Sequence, residues 1–135
     1  MSLDQDQARD FGRTYTEAWC SHDPAGVADH YTPGGTIAIN GGDPTEITEV
    51  ARSFMSAFPD IQVFMDDLFF KEDTVEFHWT FTGTNAGPGG TGKWVRISGF
   101  EEWTFGDDGL VAESQGHYDQ AEYDRQLEHG ATETQ

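Results

Sequence analysis

The sequence predicts one α+β domain: a cone-shaped, curved antiparallel sheet, with three helices from the N-terminal half packed across its concave face and a short C-terminal helix. Three observations carry this. Helical and strand-like periodicities are segregated, in the order helix, helix, strand, helix, then four strands, which is the α+β pattern rather than the alternating α/β one. The four C-terminal strand segments are joined without intervening helices, as in an antiparallel meander. Gly99 falls in the middle of the longest of them, where a missing side chain permits a sharp bend or leaves room for a ligand.

The elements follow in order. Residues 4–21 place Ala8, Phe11, Tyr15, Ala18 and Trp19 at helical spacing. Asp23-Pro24 opens a second helix, with aspartate as N-cap and proline at the first helical position, ending near Tyr31 where Pro33-Gly34-Gly35 breaks it. Thr36 to Ile39 predicts a short strand, and Asn40-Gly41-Gly42 a turn. A third helix starts at Asp43-Pro44-Thr45-Glu46, with Asp43 capping and Glu46 reaching back. Ile47, Val50, Ala51, Phe54 and Phe58 mark its apolar face, and Pro59 ends it. Strands are expected over 61–70, 74–83, 93–105 and 110–118, then a helix over 120–129 stopped by Gly130. The glycine-rich loop 83–92 reads as a long hairpin over a pocket mouth. The domain spans 1–130, and 131–135 is read as a disordered tail.

Composition narrows the function. The 135 residues include 25 acidic and 7 basic ones, a formal net charge of −18. Such a surface repels nucleic acid and anionic membranes, so neither is an expected partner. The charge reads either as a solvated coat or as a halophile's adaptation, in which salt screens the self-repulsion. An aromatic content of 13% in periodic positions excludes disorder for most of the chain. The single cysteine, Cys20, excludes an internal disulfide. No apolar run approaches the roughly 20 residues of a membrane span, and Met1 to Asp10 lacks the basic and apolar regions of a signal peptide. A cytoplasmic protein is the expectation.

The faces of the sheet locate a candidate site. Val75, Phe77, Trp79 and Phe81 alternate with Glu76, His78, Thr80 and Thr82, so one face is apolar and one polar. In the next strand Val95, Ile97, Gly99, Glu101, Trp103 and Phe105 continue the apolar face, on which Glu101 stands alone. The face shared by the last strand depends on the turn. A four-residue loop would place Glu101 opposite Ser114. A type I turn with Gly109 in the left-handed position pairs Gly106 with Leu110 instead, and Asp107-Asp108-Gly109 suits it. Glu101 then faces Gln115, Gly99 faces His117 and Ile97 faces Asp119. Carboxylates and an imidazole on an apolar face are costly to bury and mark a site.

Within that patch Asp119 has two readings. It is a general base made competent by an apolar pocket, or it caps the last helix through the capping box Asp119-Gln120-Ala121-Glu122. His117 would orient it or donate a proton; alternatively it is a structural histidine. Glu101 is the second acid, or an edge residue reaching water. With one histidine in the patch, a metal site is not expected. Tyr15, Trp19, Tyr31, Phe54, Phe58, Phe77, Trp79 and Trp103 belong mostly to the core, with some lining the pocket beside Gln115 as contacts for a small hydrophobic molecule. Gly87 to Lys93 has the glycine and lysine spacing of a phosphate-binding loop, but Trp94 replaces the magnesium-binding hydroxyl residue and the loop joins two strands, which excludes nucleotide binding.

Phe58-Pro59-Asp60-Ile61, Val75 to Gly83-Thr84, Asp108-Gly109-Leu110-Val111, Glu113 and Asp119 together resemble the SnoaL-like polyketide cyclases of the nuclear transport factor 2-like superfamily, over about Phe11 to Leu127. The resemblance implies a single SnoaL-like domain and a pocket closed by the N-terminal helices. It implies an aldol ring closure without metal or cofactor, with Asp119 as base. It also implies a sheet-to-sheet homodimer; the polar face of Glu76, His78, Thr80, Arg96 and Ser98 reads either as that dimer surface or as a solvated one. Two departures from the family are Gln115, where it often has tryptophan, and Asn85, where it often has histidine. Three functions follow as expectations: acid–base chemistry of cyclase or isomerase type on a hydrophobic carbonyl compound, binding of an apolar ligand without turnover, or water addition to an epoxide by Asp119 and Glu101.

Overall fold

The computed structural model describes residues 4–72 and 74–131. Helix α1 (Gln5–Cys20) begins at a reciprocal cap. The Asp4 carboxylate accepts from the Gln7 N–H at 2.8 Å, and the Gln7 side chain accepts from the Asp4 N–H at 3.2 Å. Ala8, Gly12, Tyr15 and Trp19 form its buried stripe. Helix α2 (Pro24–Ala28) follows with proline in its first turn and stops short of the expected end.

Strand β1 (Tyr31–Ile39) starts at Tyr31 rather than Thr36. Pro33-Gly34-Gly35 does not end a helix; it forms an irregularity inside the strand, between the pairs made by Tyr31 and Thr36. Strand β2 (Thr45–Glu46) pairs with β1 and leads straight into helix α3 (Ile47–Ala57). The expected cap of Asp43 with Glu46 therefore does not form. Glu46 occupies the N-cap position in extended conformation, without a side-chain cap bond. Strands β3 (Gln62–Phe70), β4 (Val75–Thr84), β5 (Trp94–Phe105) and β6 (Val111–Tyr118), and helix α4 (Gln120–His129), lie close to their predicted bounds.

The sheet order is β2-β1-β6-β5-β4-β3. β3 to β6 form the expected antiparallel meander. The sheet as a whole is mixed, which corrects the all-antiparallel expectation, because β1 runs parallel to β6. A long connection carries the chain from β1 to β6, so no hairpin forces the two to oppose.

The helices cover the concave face through aromatic contacts. The Tyr15 ring meets Phe77 and Trp103 edge-on at 5.4 and 5.3 Å, and Phe54 of α3 meets Phe81 at 5.9 Å. Trp103, Tyr15, Phe58 and Phe77 are among the largest fully buried side chains. Helix α4 is pinned to β5, where the Gln126 side chain accepts from the Arg96 N–H at 2.7 Å. Ala131 donates to the Trp94 carbonyl at 2.7 Å, so position 131 is tied to β5; the rest of the predicted tail, 132–135, lies outside the described residues. The loop between β4 and β5 docks on the end of α3. There the Gly87 N–H and the Asn85 side-chain amide both donate to the Ala57 carbonyl, at 3.3 and 3.2 Å. Among the described residues no helix is long and apolar enough to cross a membrane.

Candidate functional site

The turn before β6 forms as its sequence predicts. The Gly106 N–H donates to the Leu110 carbonyl at 2.8 Å, and Gly109 takes a φ of 79°. A second bulge follows it. Phe105 pairs with Val111, but Thr104 pairs with Glu113, leaving Ala112 as an extra residue. The register of every later pair slips by one, and each side chain of β6 beyond it changes face. Glu101 therefore faces Gly116, Trp103 faces Ser114 and Gly99 faces Tyr118.

The patch expected from Glu101, Gln115, His117 and Asp119 is thus not assembled. Gln115 is exposed on the convex face, opposite Glu102. The His117 ring stacks on Phe100 at 4.7 Å, with Nε2 3.2 Å from a Glu102 carboxylate oxygen. His117 borders the cavity through its place in the strand, with its ring on the far face. Asp119 is exposed and accepts from the Glu122 N–H at 3.1 Å as N-cap of α4, so the capping alternative is the one the geometry adopts. Asp119 is at the exposed start of α4 while Glu101 is buried under the helices, and among the described residues no three His, Cys, Asp or Glu side chains gather to hold a metal ion.

Glu101 is on the predicted face, and it is buried rather than reaching water. It is 6% exposed, the one carboxylate among the described residues that is fully withdrawn from solvent. Its Oε1 accepts from Trp103 Nε1 at 2.8 Å, Ser114 Oγ at 3.0 Å, Tyr15 Oη at 3.1 Å and Tyr31 Oη at 3.4 Å. Oε2 takes only the far half of the shared Tyr15 bond, at 3.2 Å. Burial pushes the carboxyl above the ordinary glutamate range, and the bonds from Trp103, Ser114, Tyr15 and Tyr31 pull it part of the way back. Burial, reinforced by the Glu101 charge, likewise drives the Tyr15 and Tyr31 phenols well upward, so both stay protonated and remain donors.

Beside this cluster lies a cavity with about 590 Å³ of atom-free space, open solvent at its mouth included. Its wall is apolar apart from Glu101: Trp19 of α1, Val50 and Phe54 of α3, Phe77, Trp79 and Phe81 of β4, and Tyr118 of β6. Two glycines shape it. A Cβ on Gly99 would run into the His117 carbonyl and the Trp79 ring, and one on Gly116 would sit 3.1 Å from Ile39 Cδ1. The loop between β4 and β5 contributes nothing to the wall, against the expectation that it covers the mouth.

Of the aromatic residues expected in the pocket, Trp19, Phe54, Phe77 and Trp79 line it. Tyr15 and Trp103 instead hold Glu101 from beneath, and Phe58 packs on Phe81 and Tyr123 in the core. Sequence reasoning placed Ser114 beside Glu101 only in the register it did not favour, and it missed Tyr31 as a partner of Glu101 and Gly116 and Tyr118 as cavity wall. The alternation within β6 contained the signal. Glu113, Gln115 and His117 are polar at period two, as a solvated face is, while Ser114 and Gly116 between them are small.

Fold and site together define an α+β cone with helices over a curved mixed sheet, one buried carboxyl and an apolar cavity beside it. The chain belongs to the SnoaL-like domain family, whose sequence model matches residues 12–114. No curated protein matches it. Among solved structures it is similar to TsrD from Streptomyces laurentii, with 20% identity, 93% of this chain and 98% of that one covered, and a TM-score of 0.79. It is also similar to a proposed polyketide cyclase from Acidithiobacillus ferrooxidans, with 23% identity, 97% and 100% covered, and a TM-score of 0.74. A third likeness is to a protein of ketosteroid isomerase-like fold from Catenulispora acidiphila, with 12% identity, 84% and 88% covered, and a TM-score of 0.71. At such identities these likenesses show the fold alone.

Proposed function

We propose that the protein binds a small, largely apolar carbonyl compound in the cavity and that Glu101 exchanges a proton with it, in chemistry of the cyclase or isomerase type. The observation that carries this is the asymmetry of the Glu101 carboxyl. Oε1 is filled by four donors, whereas Oε2 has only the far half of one bond and so keeps lone-pair capacity, in a side chain that lines an otherwise apolar cavity. A carboxyl held above its ordinary range is a stronger base when ionised than an ordinary glutamate, and keeps its proton to higher pH. In the step itself Oε2 takes a proton from the carbon beside the carbonyl, leaving an enolate. The proton then returns to the same or another carbon, or the enolate carbon attacks a second carbonyl, whose C=O π bond opens to an alkoxide that takes the proton back from Glu101. No electron is transferred to or from the protein. The family membership and the isomerase-like and cyclase-like neighbours support this class of chemistry.

The test is deuterium uptake from D2O at C1 of 2-tetralone, a compact apolar ketone, followed by NMR. The wild-type protein is expected to accelerate exchange over buffer, and Glu101→Gln to lower the accelerated rate by roughly 100-fold or more, the usual share of a positioned acid–base group. Exchange unchanged in that variant would remove Glu101 from the chemistry. Binding of 2-tetralone with no acceleration would select the second reading, a binding module without turnover, which the near-saturation of Oε1 favours.

A further inference from the structure

Among the described residues one buried side-chain polar atom has no hydrogen-bond partner, Nε1 of Trp79. Buried donors are paired almost without exception, and an orphan carries its full desolvation penalty. The contrast with Trp103, on the same face one strand away, is sharp, because its indole N–H donates to Glu101 at 2.8 Å. Trp79 stands opposite Gly99 with its six-membered ring over that glycine, so close that a Cβ there would lie 2.9 Å from Cζ2. The ring is thereby held as cavity wall. From β6 the Tyr118 ring meets it at an interplanar angle of 78° and 6.2 Å between centroids. In this arrangement of the wall the nitrogen is withdrawn from solvent.

We infer that Trp79 is a second polar anchor of the cavity, whose indole N–H donates to an acceptor oxygen of the bound molecule. The acceptor arrives with the ligand and a small shift of the wall. This rests on the reading of the cavity as a ligand site, and it narrows the ligand class to apolar molecules bearing an acceptor oxygen, ketones foremost. With the carbonyl oxygen on Trp79 and the neighbouring carbon toward Glu101 Oε2, donor and base would act on one ligand from two sides. A donor aimed at the oxygen of a forming enolate also stabilises the charge that develops there.

The test uses 2-tetralone and 2-methylenetetralin, the same bicycle with C=CH2 in place of C=O. In ¹H–¹⁵N spectra the four indole resonances separate, and Trp79→Phe identifies the one that disappears. The Trp79 resonance is expected to move downfield with the ketone and not with the hydrocarbon. Trp79→Phe removes indole surface from both probes, so the reading is their ratio: the preference for the ketone over the hydrocarbon is expected to fall roughly three- to tenfold, the worth of one hydrogen bond. Equal displacement by both probes, or a stationary Trp79 signal while other cavity resonances move, overturns the inference. In Glu101→Gln the ketone-specific shift should persist even as deuterium exchange is lost. Exchange that survives in that variant, with the Trp79 shift intact, would fault only the proton-transfer reading. Failure of both probes to bind the wild-type protein overturns the two together.

Discussion

Glu101 and Glu102 are adjacent residues of one strand, and the sheet sends them to opposite environments. Glu101 points to the concave face, is buried, and receives four hydroxyl or indole donors. Glu102 points to the convex face, is 38% exposed, and meets His117 at 3.2 Å. The same side chain is thus a low-dielectric proton site at one position and a solvated partner of an imidazole at the next. Strand periodicity assigns the face, and burial then assigns the chemistry.

The largest way to break this comparison is Glu101→Ala. It leaves Tyr15, Tyr31, Trp103 and Ser114 facing one another without an acceptor, and opens a cavity among them. A loss of about 3–5 kcal/mol is expected from denaturant unfolding, the scale for leaving several buried neutral donors unpaired beside a new cavity. A loss below about 1 kcal/mol would show that the donors pair among themselves, which the 3.2 Å approach of the two tyrosine hydroxyls permits only in part.

Next in size is the packing against the network. Gly99→Ala puts a methyl group against the His117 carbonyl and the Trp79 ring, and neither is the end of a flexible chain. A cost of about 1–3 kcal/mol is expected, with loss of 2-tetralone binding as Trp79 is displaced. Gly116→Ala meets Ile39 Cδ1 at 3.1 Å, a methyl that rotates away, so its cost should be the smaller of the two. The reverse order would mean that the Gly99 bend is not what places Trp79.

The pH dependence sharpens the comparison without breaking it. A carboxyl whose folded-state pKa is raised holds its proton more tightly in the fold than in the unfolded chain. Its contribution to stability is full below the ordinary glutamate value of about 4.3 and is lost as pH rises through the raised value. Comparison with Glu101→Gln cancels the effect of the other acidic groups. Wild type minus variant should therefore become less favourable as pH rises above about 4.3. A difference that does not vary with pH would mean that the four donors offset burial completely.

How much of this was legible depended on distance along the chain. The segregation of helices and strands, the concave identity of Phe77, Trp79 and Trp103, and the isolation of Glu101 all follow from period-two alternation within one strand, which local sequence encodes. The turn at Gly106 to Gly109 was also readable, because a left-handed glycine marks it. The extra residue at Ala112 was not. It has no glycine, and it arises where β6 must satisfy β5 on one side and the parallel β1 on the other. That single residue moved His117 from the cavity to the convex face and left Asp119, just beyond the strand, as a cap. The parallel pairing itself was hidden because it joins residues some eighty positions apart.

Asp119 offers a smaller test of that account. As an exposed cap it should cost about 1 kcal/mol when replaced by alanine, and about as much in the liganded protein as in the free one. Deuterium exchange should continue in Asp119→Ala. An abolished exchange with an intact fold would return the proton site to the α4 terminus and contradict the register of β6.

The smallest expected effect belongs to Glu102, and it closes the comparison. Its imidazole partner is 39% exposed, and contacts of this kind in solvent are worth roughly 0–1 kcal/mol. His117 keeps its stacking on Phe100, itself stacked on His78 at 5.0 Å, when the carboxylate is neutralised. Glu102→Gln should then change stability by about 0.5 kcal/mol or less, against several for its neighbour, when both are measured by denaturant unfolding. A loss comparable to that of Glu101→Ala would mean that the convex face is buried in solution. The alternation of the strand would still set the direction of each side chain, but no longer which of the two carboxyls is withdrawn from water.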